Sequence, residues 1–278
     1  MLNTTANETR PRFLDSSRGR LFSIEFPAPP ACDTGAAVLI VPPIGEEMNK
    51  CRRMLALAAR ACQAAGLTAL ITDLYGTGDS AGDFRDASVS QWRDDLDTSM
   101  FHLQRGGART LHLLAVRSGA LLIDVARLPE SIGRLALWQP VLSGRQAVSQ
   151  WFRLSAAGDL VAGADRGGEQ RSRELLAAQG FVEIAGYDLS QQLLREMEIL
   201  ELRSVLPASW SRAAWFEVVA EGATAAPSPA ASRAIDAARA GGLEIEARAL
   251  AGEPFWATPE ISVVPELVRA TSDFLAAT

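Results

Sequence analysis

An arginine and a serine stand side by side near the middle of the chain, at Arg117 and Ser118. The apolar run at residues 111–116 predicts a buried strand before them, and we predict that a helix begins near Gly119. A guanidinium at such a strand end can bind a carboxylate or a phosphate through two parallel hydrogen bonds. A serine hydroxyl can act as a nucleophile once a base takes its proton. Arg117 and Ser118 are therefore the candidate catalytic residues.

The sequence offers little that could activate the serine. It contains two histidines, His102 and His112, and both precede the turn. His102 falls in a predicted helix and His112 in the predicted strand, so we interpret both as structural. Lys50 could in principle serve as the base of a Ser–Lys pair, although no spacing supports it. Because no ligand set has metal-binding spacing, we predict neither a metal nor a cofactor.

The strand and turn around Arg117 resemble the nucleophile elbow of α/β-hydrolases, whose motif is Gly-x-Ser-x-Gly. Aligned on that motif, Ala115 takes the first glycine, Arg117 the serine and Gly119 the second glycine. Ser118 is displaced by one residue, so we expect its side chain to point away from the attack position. The histidine of this fold follows the nucleophile in chain order, and this chain has none there. The sequence predicts the scaffold without its standard triad.

A second group of polar residues follows the apolar run at residues 36–41, which we predict to be a parallel strand. Ligands of open α/β sheets bind beyond the carboxyl ends of the strands, so this group should lie near the turn at Arg117. A third segment follows the last predicted strand, so it should lie at the same carboxyl edge of the sheet. The predicted ligand-binding residues are Glu46, Glu47, Asn49, Lys50, Arg53, Arg117, Glu253, Phe255 and Trp256.

Each of these predictions has a structural alternative. Acids followed by bases are also what an ordinary helix start contains. Against that interpretation, Lys50 is the only lysine among the 27 basic residues. Arg117 could pair with Glu46 or Glu47, since a buried arginine needs such a partner, or it could bind a ligand. Phe255 and Trp256 could close the edge of the sheet or line an apolar pocket.

Strands alternate with helices along most of the chain. This order predicts an α/β fold with a mostly parallel central sheet and helices on both faces. We expect one domain over residues 1–278, with a helical, cap-like insertion at about 143–205. Residues 21–26 should form an antiparallel edge strand. The glycine-rich stretch at 73–84 resembles a turn common in α/β-hydrolases, and we interpret it as structural.

Composition excludes several classes of protein. A net charge of −6 argues against a nucleic-acid partner, which would require a basic face. No apolar run reaches the roughly 18–20 residues of a membrane span, and the polar start has no signal core. The three cysteines should be free thiols, so we expect a cytoplasmic location. The sequence does not predict an oligomeric state.

Several blocks together resemble the exosortase A system-associated hydrolase 2 family, over about residues 20–275. They lie at residues 46–54, 73–84, 138–141, 186–187 and 254–260. The resemblance implies an α/β-hydrolase fold in a bacterial setting of exopolysaccharide synthesis and PEP-CTERM protein sorting, where acyl carriers occur. One hypothesis is an enzyme acting on acyl esters or thioesters, with a small-molecule or carrier-bound acyl ligand. The alternative is a catalytically silent scaffold that binds an acidic metabolite or a protein of the pathway.

Overall fold

An eight-stranded sheet forms the centre of the computed structural model, which describes residues 8–161 and 168–277. Its strands are β1 (Arg10–Ser16), β2 (Gly19–Phe26), β3 (Ala36–Val41), β4 (Leu67–Thr72), β5 (Thr110–Val116), β6 (Ile132–Trp138), β9 (Arg212–Val219) and β10 (Ile245–Ala251). Their spatial order is β1-β2-β4-β3-β5-β6-β9-β10. All neighbours from β4 to β10 pair in parallel, whereas β2 is antiparallel to both β1 and β4.

Alternate residues of the central strands bury opposite faces of this sheet. In β3, Leu39 and Val41 join a cluster on one face, and Val38 and Ile40 join a cluster on the other. Helices α2 (Val89–Arg105) and α6 (Pro229–Ala240) cover the first face. Helices α1 (Glu46–Ala64) and α7 (Pro265–Ala276) cover the second. The predicted α/β architecture is confirmed.

The edge of the sheet differs from the prediction. The predicted edge strand is present as β2. However, the whole of β1 pairs with β2, so β1 is the edge strand. Sequence reasoning missed β1 because Leu14 is its only buried residue, so the strand has almost no apolar pattern. The predicted position of β2 was therefore wrong by one strand.

The helix predicted after the elbow is also absent. Residues Arg117–Leu122 form a 3-10 helix, and a second short one follows at Val125–Arg127. The carbonyl of Leu122 accepts a hydrogen bond from Nε of Arg93 at 3.1 Å, and Asp124 accepts from the N–H of Ala126. The Leu122 carbonyl and the Ala126 N–H are thus taken up by other partners and do not form the i→i+4 hydrogen bond of an α-helix.

Between β6 and β9, the described residues form three α-helices and a hairpin, followed by a short 3-10 helix at Leu202–Val205. The helices are α3 (Gly144–Val161), α4 (Gly168–Gln179) and α5 (Gln191–Glu198), and the hairpin consists of β7 (Phe181–Ile184) and β8 (Tyr187–Ser190). The hairpin turns through Ala185 and Gly186, which have φ values of 51° and 82°. Within the described ranges, no helix is long and apolar enough to cross a membrane.

Candidate functional site

Arg117 occupies the turn directly after β5 with a backbone that arginine rarely adopts. Its φ is 52°, in the left-handed region. A non-glycine residue there costs on the order of 1–3 kcal/mol, and it persists only where the surrounding structure holds it in place. Ser118 and Gly119 continue the turn, and both are buried. A Cβ on Gly119 would lie 2.1 Å from the carbonyl oxygen of Pro42, so the turn requires glycine there.

The guanidinium of Arg117 is held on several sides. Its Nη2 donates to Oε1 of Glu47 at 2.8 Å, and its Nε lies 3.2 and 3.3 Å from the two carboxylate oxygens. Nη1 donates to the carbonyl of Gln139, and Nη2 also donates to Oε1 of Gln150, each at 3.2 Å. The ring of Trp256 lies 4.9 Å from the guanidinium carbon. Arg117 thus forms an ion pair with Glu47, the structural alternative foreseen from the sequence.

Ser118 faces the interior. The residue is 1% exposed, and its Oγ accepts a hydrogen bond from the N–H of Ile44 at 3.1 Å. Ile44 lies in the loop after β3, and in α/β-hydrolases the corresponding loop supplies one donor of the oxyanion hole. Here the N–H of Ile44 is satisfied by a side chain, and Ser118 does not line the cleft described next.

A cleft of about 240 Å³ opens beside Arg117, at the carboxyl edge of the sheet. It brings together five of the predicted ligand-binding residues: Glu46, Glu47, Lys50, Arg117 and Trp256. Apart from Gly45 and Ala257, the remaining wall comes from α3 and from the hairpin. Those residues are Gln150, Trp151, Leu154, Ile184, Ala185, Tyr187 and Leu189. The cleft is slightly smaller than the roughly 300–1,000 Å³ typical of drug-sized ligand sites.

The other predicted ligand-binding residues lie outside this lining. Nδ2 of Asn49 donates to the hydroxyl of Tyr187 at 2.8 Å, which ties α1 to the hairpin. Arg53 and Glu253 are exposed. Phe255 is 1% exposed and packs edge-on against Trp138 and Trp256, with ring centres 5.8 and 5.1 Å away.

Sequence reasoning assigned none of the cleft residues of α3 and the hairpin to the site, although Tyr187 lies in one of the blocks that carry the family resemblance. The hairpin had a usable signal, because residues 181–190 alternate apolar and polar around Ala-Gly, a turn pattern. Trp151 and Leu154 had none, since three-residue spacing on a helix indicates only a shared face.

Neither histidine lines the cleft. Nδ1 of His112 accepts the N–H of Arg134 at 2.9 Å, and burial lowers the pKa of His112 to about 4. Nε2 of His102 lies 2.8 Å from Oε2 of Glu25. In the described part of the chain, no group of three or more His, Cys, Asp or Glu side chains is arranged to hold a metal.

The glycine-rich turn after β4 is braced by Asp73. Its carboxylate accepts from both terminal nitrogens of Arg52 at 3.1 and 3.3 Å and from the N–H of Asp79 at 3.1 Å. Gly78 has a φ of 52°, and a Cβ there would lie 1.8 Å from Oδ2 of Asp73. The turn is therefore held by its own backbone and by α1 through Arg52.

Solved structures share this architecture over nearly their whole length. Est1E from Butyrivibrio proteoclasticus with bound ferulic acid superposes with a TM-score of 0.64 and 14% identity, covering 95% of this chain and 97% of that one. An α/β serine hydrolase homologue from Coxiella burnetii gives a TM-score of 0.59 and 11% identity, covering 96% and 97%. The chain has an α/β-hydrolase fold.

A third structure with the same fold is DcsB in complex with its substrate analogue. Its TM-score is 0.61 and its identity 14%, covering 96% of this chain and 98% of DcsB. No protein-family model and no curated protein matches the sequence. At these identities, the likeness to the solved structures establishes the fold alone.

Proposed function

We propose that this chain is a catalytically silent α/β-hydrolase scaffold that binds a small acidic molecule in the cleft beside Arg117. One observation carries the proposal. The residue at the nucleophile position is an arginine whose guanidinium is occupied by Glu47, Gln139 and Gln150. A guanidinium stays protonated in proteins and cannot act as a nucleophile at this position.

The neighbouring groups support the same conclusion. Acyl transfer needs an activated nucleophile beside free oxyanion donors. The Ser118 hydroxyl faces inward, and the N–H of Ile44 already binds it. Both histidines make their contacts elsewhere in the fold.

The cleft retains what a binding site needs. It is open, its wall is mostly apolar, and Lys50 contributes to its lining. The setting inferred from the family resemblance belongs to this proposal: a cytoplasmic protein near exopolysaccharide synthesis and PEP-CTERM sorting. Its partner there is an acidic metabolite or a protein of that pathway.

A second candidate is hydrolysis of an acyl ester or thioester, including a carrier-bound one. It is favoured by the position of the cleft and by the ferulic acid and substrate analogue bound to Est1E and DcsB. In this chain the reaction would need water as the nucleophile, with Glu47 as its base. Because Glu47 is paired with Arg117, that ion pair would have to open first.

Turnover assays separate the two candidates. We expect p-nitrophenyl butyrate and a butyryl thioester to be hydrolysed no faster than without protein. We also expect small monocarboxylic acids to raise the thermal midpoint. Turnover that is lost in Glu47→Gln would support the second candidate and overturn the first. Absence of any stabilising acid would also contradict the binding proposal.

A further inference from the structure

Lys50 lines the cleft, and its ammonium group is left available for a ligand. Lys50 follows Glu46 and Glu47 by four and three residues on α1, a spacing at which lysine commonly pairs with a carboxylate. Over residues 8–161 and 168–277, no carboxylate lies within ion-pair distance of its Nζ. Its single hydrogen bond is a long one, 3.4 Å, to the carbonyl of Thr258.

The two acids have other partners. Glu47 binds Arg117, and Glu46 accepts a hydrogen bond from Asn49 at 3.4 Å. An ammonium has three donors, so two remain for a ligand after the contact with Thr258. Arg117 has less to offer, because four of its five N–H groups already have partners within the protein.

The rest of the cleft suits a hydrocarbon. Its apolar wall consists of Trp151, Leu154, Ile184, Leu189 and Trp256. Leu154 lines this cleft and is 42% exposed, so a ligand that covers it would remove apolar surface from water. A volume of about 240 Å³ limits the body of the ligand to a short chain or a single ring.

We propose that the ligand is an amphipathic monocarboxylate, with its carboxylate on Nζ of Lys50 and its hydrocarbon body against this wall. The inference rests on the proposed function, in which the cleft binds and does not hydrolyse. A single available ammonium matches one negative charge. A dianion such as a phosphate would carry a second negative charge without a cation, in a cleft that Glu46 also lines.

Calorimetric titration with three probes of equal chain length tests the assignment: octanoate, 1-octanol and octylamine. The variants are Lys50→Met, which keeps the aliphatic stem, and Lys50→Arg, which keeps the charge. Arg60→Met is the matched control, because Arg60 is exposed on the same helix, about 15 Å further along.

We expect Lys50→Met to weaken octanoate binding at least about tenfold, the effect of losing a charge-assisted hydrogen bond. Lys50→Arg should recover part of that loss, and Arg60→Met should bind octanoate like the wild type. The affinity for 1-octanol should be the same in the wild type and in Lys50→Met. Octylamine should bind to the wild type more weakly than octanoate or 1-octanol does.

Three results would overturn the inference: no octanoate binding, an octanoate affinity unaffected by Lys50→Met, or tighter binding of octylamine. If another acid still binds without turnover, the proposed function survives that failure. Turnover of p-nitrophenyl octanoate by the same samples would refute the proposed function instead. The two failures are therefore distinguishable.

Discussion

Nη2 of Arg117 lies 2.8 Å from Oε1 of Glu47, across the turn where an α/β-hydrolase carries its nucleophile. The side chains are 10% and 20% exposed, so the pair is largely withdrawn from water. Glu47 lies in the first turn of α1, where the helix dipole also favours a negative charge. The pair fixes Arg117 in its left-handed backbone and links the elbow to the helix above it.

The first prediction concerns this pair. Arg117→Ala should lower the free energy of unfolding by roughly 2–4 kcal/mol, because it leaves the Glu47 carboxylate without its cation. Glu47→Ala should cost a similar amount. In a double-mutant cycle measured by urea denaturation, the loss in the double variant should be smaller than the sum of the single losses by more than about 1 kcal/mol. Additive losses would show that the two side chains are not coupled.

Ser118 should matter for stability. Ser118→Ala leaves the buried N–H of Ile44 without an acceptor, so we expect a loss of about 1–3 kcal/mol. Ser211→Ala, at an exposed serine, is the control and should change stability by less than about 0.5 kcal/mol. Equal effects in the two variants, measured by chemical denaturation, would rule out the hydrogen bond to Ile44 as a significant contribution.

His112 should make the fold sensitive to mild acid. Its folded pKa of about 4 lies below the ordinary histidine value of 6.5, so its contribution is fully present above pH 6.5 and is lost as the pH falls toward 4. The loss should reach about 3 kcal/mol. His112→Asn keeps an acceptor for the N–H of Arg134 but does not titrate. Unfolding free energies at pH 7 and pH 4 should therefore differ less in the variant, and an equal difference would contradict the assignment.

Substitutions at two glycines with positive φ would distinguish the cost of backbone strain from the cost of steric crowding. Gly180 has a φ of 80° and open space around it, whereas a Cβ on Gly78 would collide with Asp73 and Arg52. Gly180→Ala should cost about 1 kcal/mol from strain alone. Gly78→Ala should cost at least about 2 kcal/mol more, because it also displaces the Asp73–Arg52 pair. Thermal or urea unfolding would measure both, and equal losses would mean that the turn adapts.

Local patterns were sufficient to predict most of the scaffold. The apolar run of β3 and the helical spacing of Met48, Cys51 and Met54 indicated a buried strand followed by α1, as observed. The 3-10 helix at Arg117–Leu122 could not be predicted, because the group that binds the Leu122 carbonyl is the side chain of Arg93, which is distant in sequence. The edge strand β1 was missed for lack of an apolar pattern.

Only part of the cleft lining could be predicted from the sequence. Glu46, Glu47 and Lys50 were recognisable because they follow a parallel strand directly. The sequence left open whether Arg117 binds a ligand or an acid of its own chain, since that depends on the path of α1 over the elbow. Trp151 and Tyr187 reach the cleft through the packing of the segment between β6 and β9. The alternation at residues 181–190 indicates the hairpin, but no local pattern specifies where it or α3 packs.

The most direct test of the central claim is intact-mass analysis after incubation with a broad fluorophosphonate probe, for the wild type and for Ser118→Ala. We predict no adduct on either protein, because Arg117 holds the nucleophile position and Ser118 faces inward. A stoichiometric adduct on the wild type that disappears in Ser118→Ala would show an activated serine and contradict a silent scaffold.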